Sequence, residues 1–267
     1  MNNHVNYARM IREKIKNGQL VVGTNALFAG ASASAIMANA GSEFIWIDME
    51  HGPFDYKDAY EHVLGAHAGG AAALIRVPAN DPEMMKKTLD MGIDGVIFPL
   101  VRSAAEVRNM VEACLYPPHG YRGWNPLGAA KYGAIDAVSY YQNSSEAILR
   151  FIMLEHVDAY RELDEILQIP GLDGVILGPC DFSGSLGRML DINHPEEIAM
   201  LDDAIQKIRK AGLIPGIALG CRVGGDIYRH WLKAGAQMFS VGQDMDLLYA
   251  SVEHKLNELQ AVAQETL

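Results

Sequence analysis

Short apolar runs alternate with longer segments of helical period from about residue 20 onward. In the longer segments apolar residues recur every three or four positions, which is typical of amphipathic helices. Short apolar runs separated by such helices are typical of a parallel sheet built from repeated βα units. Eight strands are predicted in this way, at residues 20–24, 44–48, 73–77, 95–99, 150–154, 174–177, 214–219 and 237–241.

The segments between and after these strands predict helices with ordinary start and stop signals. Pro82 and Pro195 fall near the first helical position, where no N–H is needed, and Gly92 and Gly235 end helices. Eight βα units without a break in composition predict one domain, residues 1–267, folded as a single (β/α)8 TIM barrel. The predicted helices cover residues 32–40, 56–68, 82–91, 104–114, 159–167, 196–211, 224–234 and 244–263.

One long segment, residues 116–145, has neither the apolar spacing of an amphipathic helix nor the short apolar run of a buried strand. It is rich in Gly, Pro, Tyr and Asn and comes after the fourth predicted strand. Active sites of TIM barrels lie at the carboxyl ends of the strands, and long loops often carry function. We therefore expect an insertion that covers the barrel mouth as a lid or forms a contact between subunits.

The negative net charge of the chain argues against two classes of binding partner. Asp and Glu outnumber Lys and Arg by 33 to 22, which gives a formal net charge of -11, and no dense basic cluster is present. Nucleic acids and anionic membrane surfaces are therefore not expected as partners. The uncharged segment 21–42 contains Gly, Ala, Ser and Asn rather than Leu, Ile and Phe, so no membrane span is expected there.

The cysteines and the first residues bear on the compartment. Cys114, Cys180 and Cys221 are odd in number and far apart, so neither a disulfide framework nor a zinc cage is expected. Charged residues are spread through the first 20 positions, without the apolar run of a signal peptide. These features predict a cytoplasmic protein.

Chemically useful side chains follow several predicted strands. In a barrel the carboxyl ends of all strands converge on one mouth. Each side chain alone has a common structural explanation, as a solvated loop residue or, for Arg76, as an ion pair with Asp48 or Glu50. Their convergence instead favours an active site. The converging residues are Asp48, Glu50 and His51 at strand two, Arg76 at strand three, Glu155 after strand five, and Gly178, Cys180 and Asp181 after strand six.

These residue types fit metal-assisted acid–base chemistry. Glu155 and Asp181, from neighbouring strands, could hold a hard divalent cation and leave positions open for water and substrate oxygens. Arg76 would offer a planar, permanently charged group to a carbonyl or enolate oxygen. His51, three residues after Asp48, could form an imidazole that a carboxylate orients and that moves a proton near neutral pH.

The segment after strand six predicts an anion site. Pro179 has no N–H, so the amides of Cys180 and Asp181 would be the donors for a substrate carboxylate. The alternative is a plain Gly-Pro turn at Gly178. The sequence has no dinucleotide-binding or phosphate-binding glycine motif, and no predicted strand ends in a lysine that could form a Schiff base. A metal ion is therefore favoured over an imine as the electron sink.

Five motifs occur in the order in which a known family carries them. They are residues 47–53 (IDMEHGP), 75–78 (IRVP), 89–92 (LDMG), 116–123 (YPPHGYRG) and 174–183 (GVILGPCDFS).

Over residues 15–255 the chain resembles the HpcH/HpaI aldolases, metal-dependent class II pyruvate aldolases such as 2,4-dihydroxyhept-2-ene-1,7-dioate aldolase. The resemblance implies cleavage of a 4-hydroxy-2-oxo acid to pyruvate, or a close 2-oxo acid, and an aldehyde. It also implies a barrel whose last helix is swapped with a neighbour, in a homohexamer arranged as a trimer of dimers.

The resemblance further implies roles for individual residues. Glu155 and Asp181 match the family's ligands for a divalent metal, for which Mg²⁺, Mn²⁺ and Co²⁺ are the candidates. The 2-oxo acid would chelate this metal through its carboxylate and keto oxygens, and Arg76 would stabilise the resulting enolate. His51 and Asp48 match a proton-transfer pair that acts on the C4 hydroxyl.

The other candidates have supporting roles in this comparison. Gly178 and Cys180 would contact the substrate. Asp90 matches an acidic position near the site of an adjacent subunit, and Arg122 is grouped with it. Glu50 is expected to act behind the metal ligands, and whether it reaches the metal through water stays open.

Several positions depart from the family pattern. Met153 stands where a Gln is usual, which removes a polar contact near the 2-oxo acid, and Asn25 stands where some members carry an aromatic residue. Two alternatives therefore stay open. One is a lyase of the same barrel group that acts on an acyl-CoA thioester, against which the acidic balance argues mildly. The other is a non-catalytic protein that binds a 2-oxo acid or a metal.

Overall fold

In the part of the chain that the structure describes, eight parallel strands close into a barrel in sequence order. This computed structural model describes residues 5–28, 30–220 and 224–266, so Cys221 lies outside the described residues. Every strand begins and ends within two residues of its predicted position, and the predicted TIM barrel is confirmed. The strands are β1 (Val21–Ala26), β2 (Phe44–Asp48), β3 (Ala72–Arg76), β4 (Gly95–Phe98), β5 (Leu149–Leu154), β6 (Gly174–Leu177), β7 (Ile214–Ala218) and β8 (Met238–Gln243).

The described α-helices precede, connect and follow these strands. They are α1 (Tyr7–Lys16), α2 (Ala31–Asn39), α3 (Tyr56–Gly69), α4 (Pro82–Asp90), α5 (Ala104–Cys114), α6 (Ala137–Asn143), α7 (Val157–Arg161), α8 (Leu163–Ile166), α9 (Pro179–Ser185), α10 (Pro195–Lys210), α11 (Gly225–Ala234) and α12 (Asp244–Thr266). Asp55 and Asp81 begin α3 and α4 by accepting hydrogen bonds from backbone N–H groups of the first turn. The helix predicted at 159–167 is divided into α7 and α8 at Glu162.

Apolar side chains fill both the barrel interior and the layer between strands and helices. The interior cluster includes Phe44, Trp46, Phe151 and Met153. Alternate residues of a strand face the same side. On β2 the inward column is therefore Phe44, Trp46 and Asp48, which places a carboxylate where the apolar interior meets the barrel mouth.

The insertion lies at the opposite end of the barrel from the mouth. Segment 116–145 comes between α5 and β5, and α5 returns the chain to the amino-terminal ends of the strands before the segment begins. The N–H of Gly128 donates to the carbonyl of Asp90, 2.8 Å away. The segment also lines, together with Ile93 and Ile148, a cavity of about 220 Å³. The prediction that it covers the mouth of its own barrel is therefore wrong.

The last helix, α12, is almost entirely exposed. Among its 23 residues only Asp244 is buried. The Asp244 carboxylate accepts hydrogen bonds from the N–H groups of Leu27 and Phe28, at 3.0 and 2.9 Å, and so ties the helix start to the loop after β1. Leu256 and Leu259, farther along, are 56% and 68% exposed. Within the described ranges, no helix is both long enough and apolar enough to cross a membrane.

Candidate active site

The guanidinium of Arg76 binds the carboxylate of Asp48 at the barrel mouth. The two residues end neighbouring strands and are paired in register. Nε of Arg76 donates to Oδ1 of Asp48 at 3.0 Å, and Nη2 donates to Oδ2 at 2.5 Å. Burial lowers the pKa of Arg76, but the hydrogen bonds and negative charge of Asp48 outweigh this effect and raise the pKa overall. The guanidinium is therefore a permanent positive charge.

The His51 imidazole lies beside Glu50 and not beside the Asp48 carboxylate. Its Nε2 is 3.7 Å from a carboxylate oxygen of Glu50, and the side chain is 62% exposed. Asp48 accepts instead from the backbone N–H groups of Glu50 and His51, at 3.1 and 3.3 Å. The expected pairing of the Asp48 carboxylate with the imidazole is not formed, because Arg76 and these backbone groups occupy the Asp48 oxygens.

Glu50 contacts Arg76 directly, and its supporting role behind the metal ligands stays a prediction. One carboxylate oxygen of Glu50 is 2.8 Å from Nη1 of Arg76. Burial raises the pKa of Glu50, the positive charge of Arg76 lowers it, and the negative charges of Asp48 and Asp181 add to the rise. Glu50 therefore belongs to the group of charges that surrounds Arg76.

Glu155 faces the same guanidinium from the end of β5. Its Oε1 is 3.8 Å from Nη1 of Arg76, and its Oε2 accepts a hydrogen bond from the N–H of Leu100 at 3.1 Å. Burial raises the pKa of Glu155 to about 7, against the opposing charge of Arg76. A Cβ at Gly178 would lie 2.5 Å from Cγ of Glu155, so only glycine leaves room for this side chain.

The predicted anion-binding turn is the start of a short helix. Gly178 is the N-cap of α9, and Cys180 and Asp181 lie in its first turn. The negative charge of Asp181 contributes to the raised pKa of Glu155, which indicates that the two carboxylates are close. Cys180 is exposed. Partial burial and the charge of Asp181 raise the pKa of its thiol, which therefore stays protonated at neutral pH.

Three carboxylates lie within 4 Å of the Arg76 guanidinium, and the charge of a fourth, Asp181, acts on two of them. The balance of charge fits a bound cation. Asp48, Glu50, Glu155 and Asp181 carry four negative charges when ionised, against one positive charge on Arg76, a surplus of three. Across the described ranges, no three His, Cys, Asp or Glu side chains are grouped so that they could hold a metal ion alone. Glu155 and Asp181 therefore fit a hard cation that takes its remaining ligands from substrate and water.

Known proteins resemble this chain in sequence and in fold. Residues 26–250 match the family model described as HpcH/HpaI aldolase/citrate lyase. The chain belongs to this family. The family predicted from the five sequence motifs is thus confirmed.

Named relatives of the HpcH/HpaI family cover most of the chain. It is 32% identical over 248 residues to 2-dehydro-3,6-dideoxy-6-sulfogluconate aldolase of Pseudomonas putida, covering 92% of this chain and 93% of that protein. It is 30% identical over 245 residues to hydroxypyruvate/pyruvate aldolase of Roseovarius nubinhibens, covering 92% and 94%. The crystal structure of an HpcH/HpaI aldolase from Desulfitobacterium hafniense gives a TM-score of 0.86 at 26% identity, covering 94% of this chain and 96% of that one. The chain is an aldolase, and the predicted carbon–carbon lyase activity is confirmed.

Asp90 and Arg122 lie away from the mouth of this HpcH/HpaI barrel. Asp90 is the last residue of α4, which ends at the amino-terminal face. Nη2 of Arg122 donates to Oδ1 of Asp90 at 2.8 Å, and Nη1 is 3.2 Å from the hydroxyl of Tyr140. The pair is therefore outside the site of its own chain, and its role beside an adjacent subunit stays a prediction.

Two residues at the site were missed by reasoning from sequence. Trp46 lies under Arg76, with Cζ of the arginine 5.3 Å from the centroid of the ring. Its place two residues before Asp48 was a usable signal, since alternate strand residues share a face. Leu100 offers no such signal, because its φ of 47° lies in a region that a leucine rarely adopts.

Proposed function

We propose that this aldolase cleaves a 4-hydroxy-2-oxo acid to pyruvate, or a closely related 2-oxo acid, and an aldehyde, with a divalent metal ion as cofactor. The observation that carries the proposal is the position of Arg76. Its charge lies at the barrel mouth, with Asp48 bound to one edge and Glu155 3.8 Å from the other. Both relatives named above are aldolases, and one is named for pyruvate.

Glu155 and Asp181 would hold the metal ion. Both are carboxylates, which suit hard cations such as Mg²⁺ and Mn²⁺, and Co²⁺ is the third candidate. The bound ion would supply Lewis-acid polarisation of the keto group of the substrate. The burial that raises the pKa of Glu155 also indicates a weakly hydrated site, in which such polarisation is strong.

Arg76 would stabilise the negative charge that develops on the substrate. The two hydrogen bonds to Asp48 fix one edge of the guanidinium, and Nη1 on the other side points toward Glu50 and Glu155. A fixed donor in a buried site stabilises an oxyanion without first having to reorganise. Arg76 therefore acts on the enolate that cleavage leaves behind.

His51 is the proposed base for the C4 hydroxyl. When the base removes that proton, the C3–C4 bond breaks, its electron pair passes into the enolate, and C4 becomes the aldehyde carbonyl. A proton then returns to C3 and gives the 2-oxo acid. The imidazole suits this role because it is exposed at the mouth, and Glu50, 3.7 Å away, would stabilise the imidazolium.

The assembly that we propose is a homohexamer, a trimer of dimers, in which α12 packs on a neighbouring subunit. Its support is the row of exposed apolar side chains on α12, which includes Leu248, Leu256 and Leu259. The same assembly would bring Asp90 and Arg122 near the mouth of another subunit.

Deuterium exchange from solvent into pyruvate tests this function. In D2O with Mg²⁺ we expect the methyl signal of pyruvate to disappear from the proton NMR spectrum, because an enolising site exchanges these protons. A chelator should stop the exchange. A protein that merely binds a 2-oxo acid would leave the methyl signal intact, and exchange that continues after complete removal of metal would contradict the proposed cofactor.

A further inference from the structure

The indole ring of Trp46 supports the guanidinium of Arg76 from inside the barrel. Trp46 is 1% exposed and belongs to the interior apolar cluster. In the sheet it pairs with Leu74, two residues before Arg76, so the ring lies one layer below the guanidinium. Cζ of Arg76 is 5.3 Å from the ring centroid, within the range of a cation–π interaction.

Arg76 is attracted by three carboxylates on different elements. Asp48 binds one edge at 3.0 and 2.5 Å, while Glu50 and Glu155 lie 2.8 and 3.8 Å from Nη1. The two hydrogen bonds to Asp48 set the plane of the rigid guanidinium, while Glu50 and Glu155 attract Nη1 away from that contact. An aromatic surface below adds a restraint, because guanidinium groups stack on aromatic faces.

The indole N–H indicates what this position requires. Nε1 of Trp46 is buried and has no hydrogen-bond partner among the described groups. A buried donor without an acceptor destabilises the folded state, and a phenylalanine would avoid that loss. Tryptophan, however, has the strongest cation–π interaction of the aromatic residues. The ring face, and not the N–H, is therefore the useful part of the side chain.

We propose that Trp46 is a positioning residue for Arg76. Its ring holds the guanidinium where Asp48 binds one edge and Nη1 lies beside Glu50 and Glu155. The inference rests on the proposed function, since the role of Arg76 toward the enolate is part of that function.

Two substitutions of similar size separate the ring from the rest of the side chain. Trp46→Phe keeps an aromatic face and removes the N–H, whereas Trp46→Met fills a similar volume without a ring. For each full-length variant, kcat and KM of deuterium exchange into pyruvate are measured with Mg²⁺, and Mn²⁺ affinity is measured by calorimetry. We expect Trp46→Phe to stay within about twofold of the wild-type kcat and Trp46→Met to lose about tenfold, equivalent to about 1.4 kcal/mol. Metal affinity should not change.

Phe44→Met is the matched control for the loss of an aromatic ring. Phe44 lies on the same strand, two residues farther from the mouth, in the same interior cluster. We expect this variant to lower the melting temperature without a selective loss of kcat. Crystal structures of both Trp46 variants give a second readout that does not depend on turnover. The two bonds from Arg76 to Asp48 should persist in Trp46→Phe and be displaced in Trp46→Met.

Equal kcat values for Trp46→Phe and Trp46→Met would overturn the proposal. So would a Trp46→Met structure in which Arg76 keeps both bonds to Asp48. If Trp46→Met does not fold, Trp46→Leu is the second ring-free variant, with the same expected results. A wild-type protein that exchanges no deuterium would count against the proposed function alone, because the crystal structures would still decide whether the ring positions Arg76.

Discussion

Asp48 is bound through both carboxylate oxygens by Arg76, at 3.0 and 2.5 Å, in a pair that is buried at the barrel mouth. The register of β2 and β3 places these residues opposite each other, so the pair forms as the barrel closes. Breaking a buried ion pair by removing one partner leaves an uncompensated charge, which is costly. The same contact therefore contributes to stability and orients the group that we assign to the enolate.

Asp48→Asn should damage both stability and activity. The amide keeps the shape of the carboxylate but cannot accept both N–H groups of Arg76. We expect the free energy of unfolding to fall by about 3 kcal/mol and the rate of deuterium exchange to fall about a hundredfold. Urea denaturation and NMR measure the two effects. A variant that loses stability but exchanges at the wild-type rate would show that Asp48 has no part in orienting Arg76.

Arg76→Ala should remove exchange while metal stays bound. The loss of a fixed donor to an oxyanion typically lowers the rate by about a hundredfold to a thousandfold. Arg76→Lys keeps the charge but cannot form the bidentate contact to Asp48, so we expect a smaller loss of exchange rate than in Arg76→Ala. Calorimetry with Mn²⁺ checks that metal affinity is retained. Wild-type exchange in Arg76→Ala would remove this residue from its proposed role.

Glu155→Gln should weaken metal binding. The amide replaces a charged oxygen ligand by a neutral one, and we expect the dissociation constant for Mn²⁺ to rise at least about tenfold. Glu83→Gln is the control, because Glu83 is an exposed glutamate on α4 that forms an ion pair with Lys86. Equal Mn²⁺ affinity in the wild type and Glu155→Gln would contradict the proposed ligand.

The barrel could be predicted because its strands are buried on both faces. A strand of this kind is a continuous apolar run, as in 44–48 and 174–177, where the predicted and observed bounds agree. The division of the helix predicted at 159–167 could not be predicted, since apolar spacing continues across Glu162. The prediction of a lid at 116–145 takes β4 as the element before the segment. The segment instead follows α5, which returns the chain to the amino-terminal end of the barrel, so the connection lies at that end.

The location of the site could be predicted, but not the partner of each side chain. Strand ends in a barrel converge, so Asp48, Arg76 and Glu155 were expected together. The pairing of His51 with Glu50 depends on the approach of Arg76 from β3, which sequence spacing on β2 does not contain. The spacing of three residues between Asp48 and His51 therefore did not predict which carboxylate the imidazole contacts.

Charges on the apolar face of α12 should disrupt the proposed hexamer. Leu256→Glu combined with Leu259→Glu places two carboxylates on side chains that are exposed in this chain and would be buried in the assembly. We expect the double variant to sediment as a smaller species. Lys255→Glu, on the same helix, is the control and should keep the wild-type mass. A hexamer formed by the double variant would contradict packing of this face on a neighbour.

Glu197, on α10, is a buried carboxyl group whose two oxygens have no hydrogen-bond partner among the described groups. Burial raises its pKa from 4.5 to about 7. The folded state therefore binds this proton more tightly than the unfolded state does. The contribution of this group to the free energy of unfolding should be greatest below pH 4.5, fall as the pH rises to about 7, and change no further above that value.

Glu197→Gln should remove this dependence on pH. The slope is at most about 1.4 kcal/mol per pH unit, so wild type should lose about 2 kcal/mol of unfolding free energy between about pH 5.5 and pH 8 through this group. Glu197→Gln stays neutral, so between these pH values its free energy of unfolding should fall by about 2 kcal/mol less than that of wild type. Urea denaturation at both pH values measures the difference. Glu196→Gln, at the neighbouring exposed residue that pairs with Arg188, should behave as the wild type does. If both variants follow the wild-type curve, Glu197 is ionised in the folded protein and its pKa is not raised.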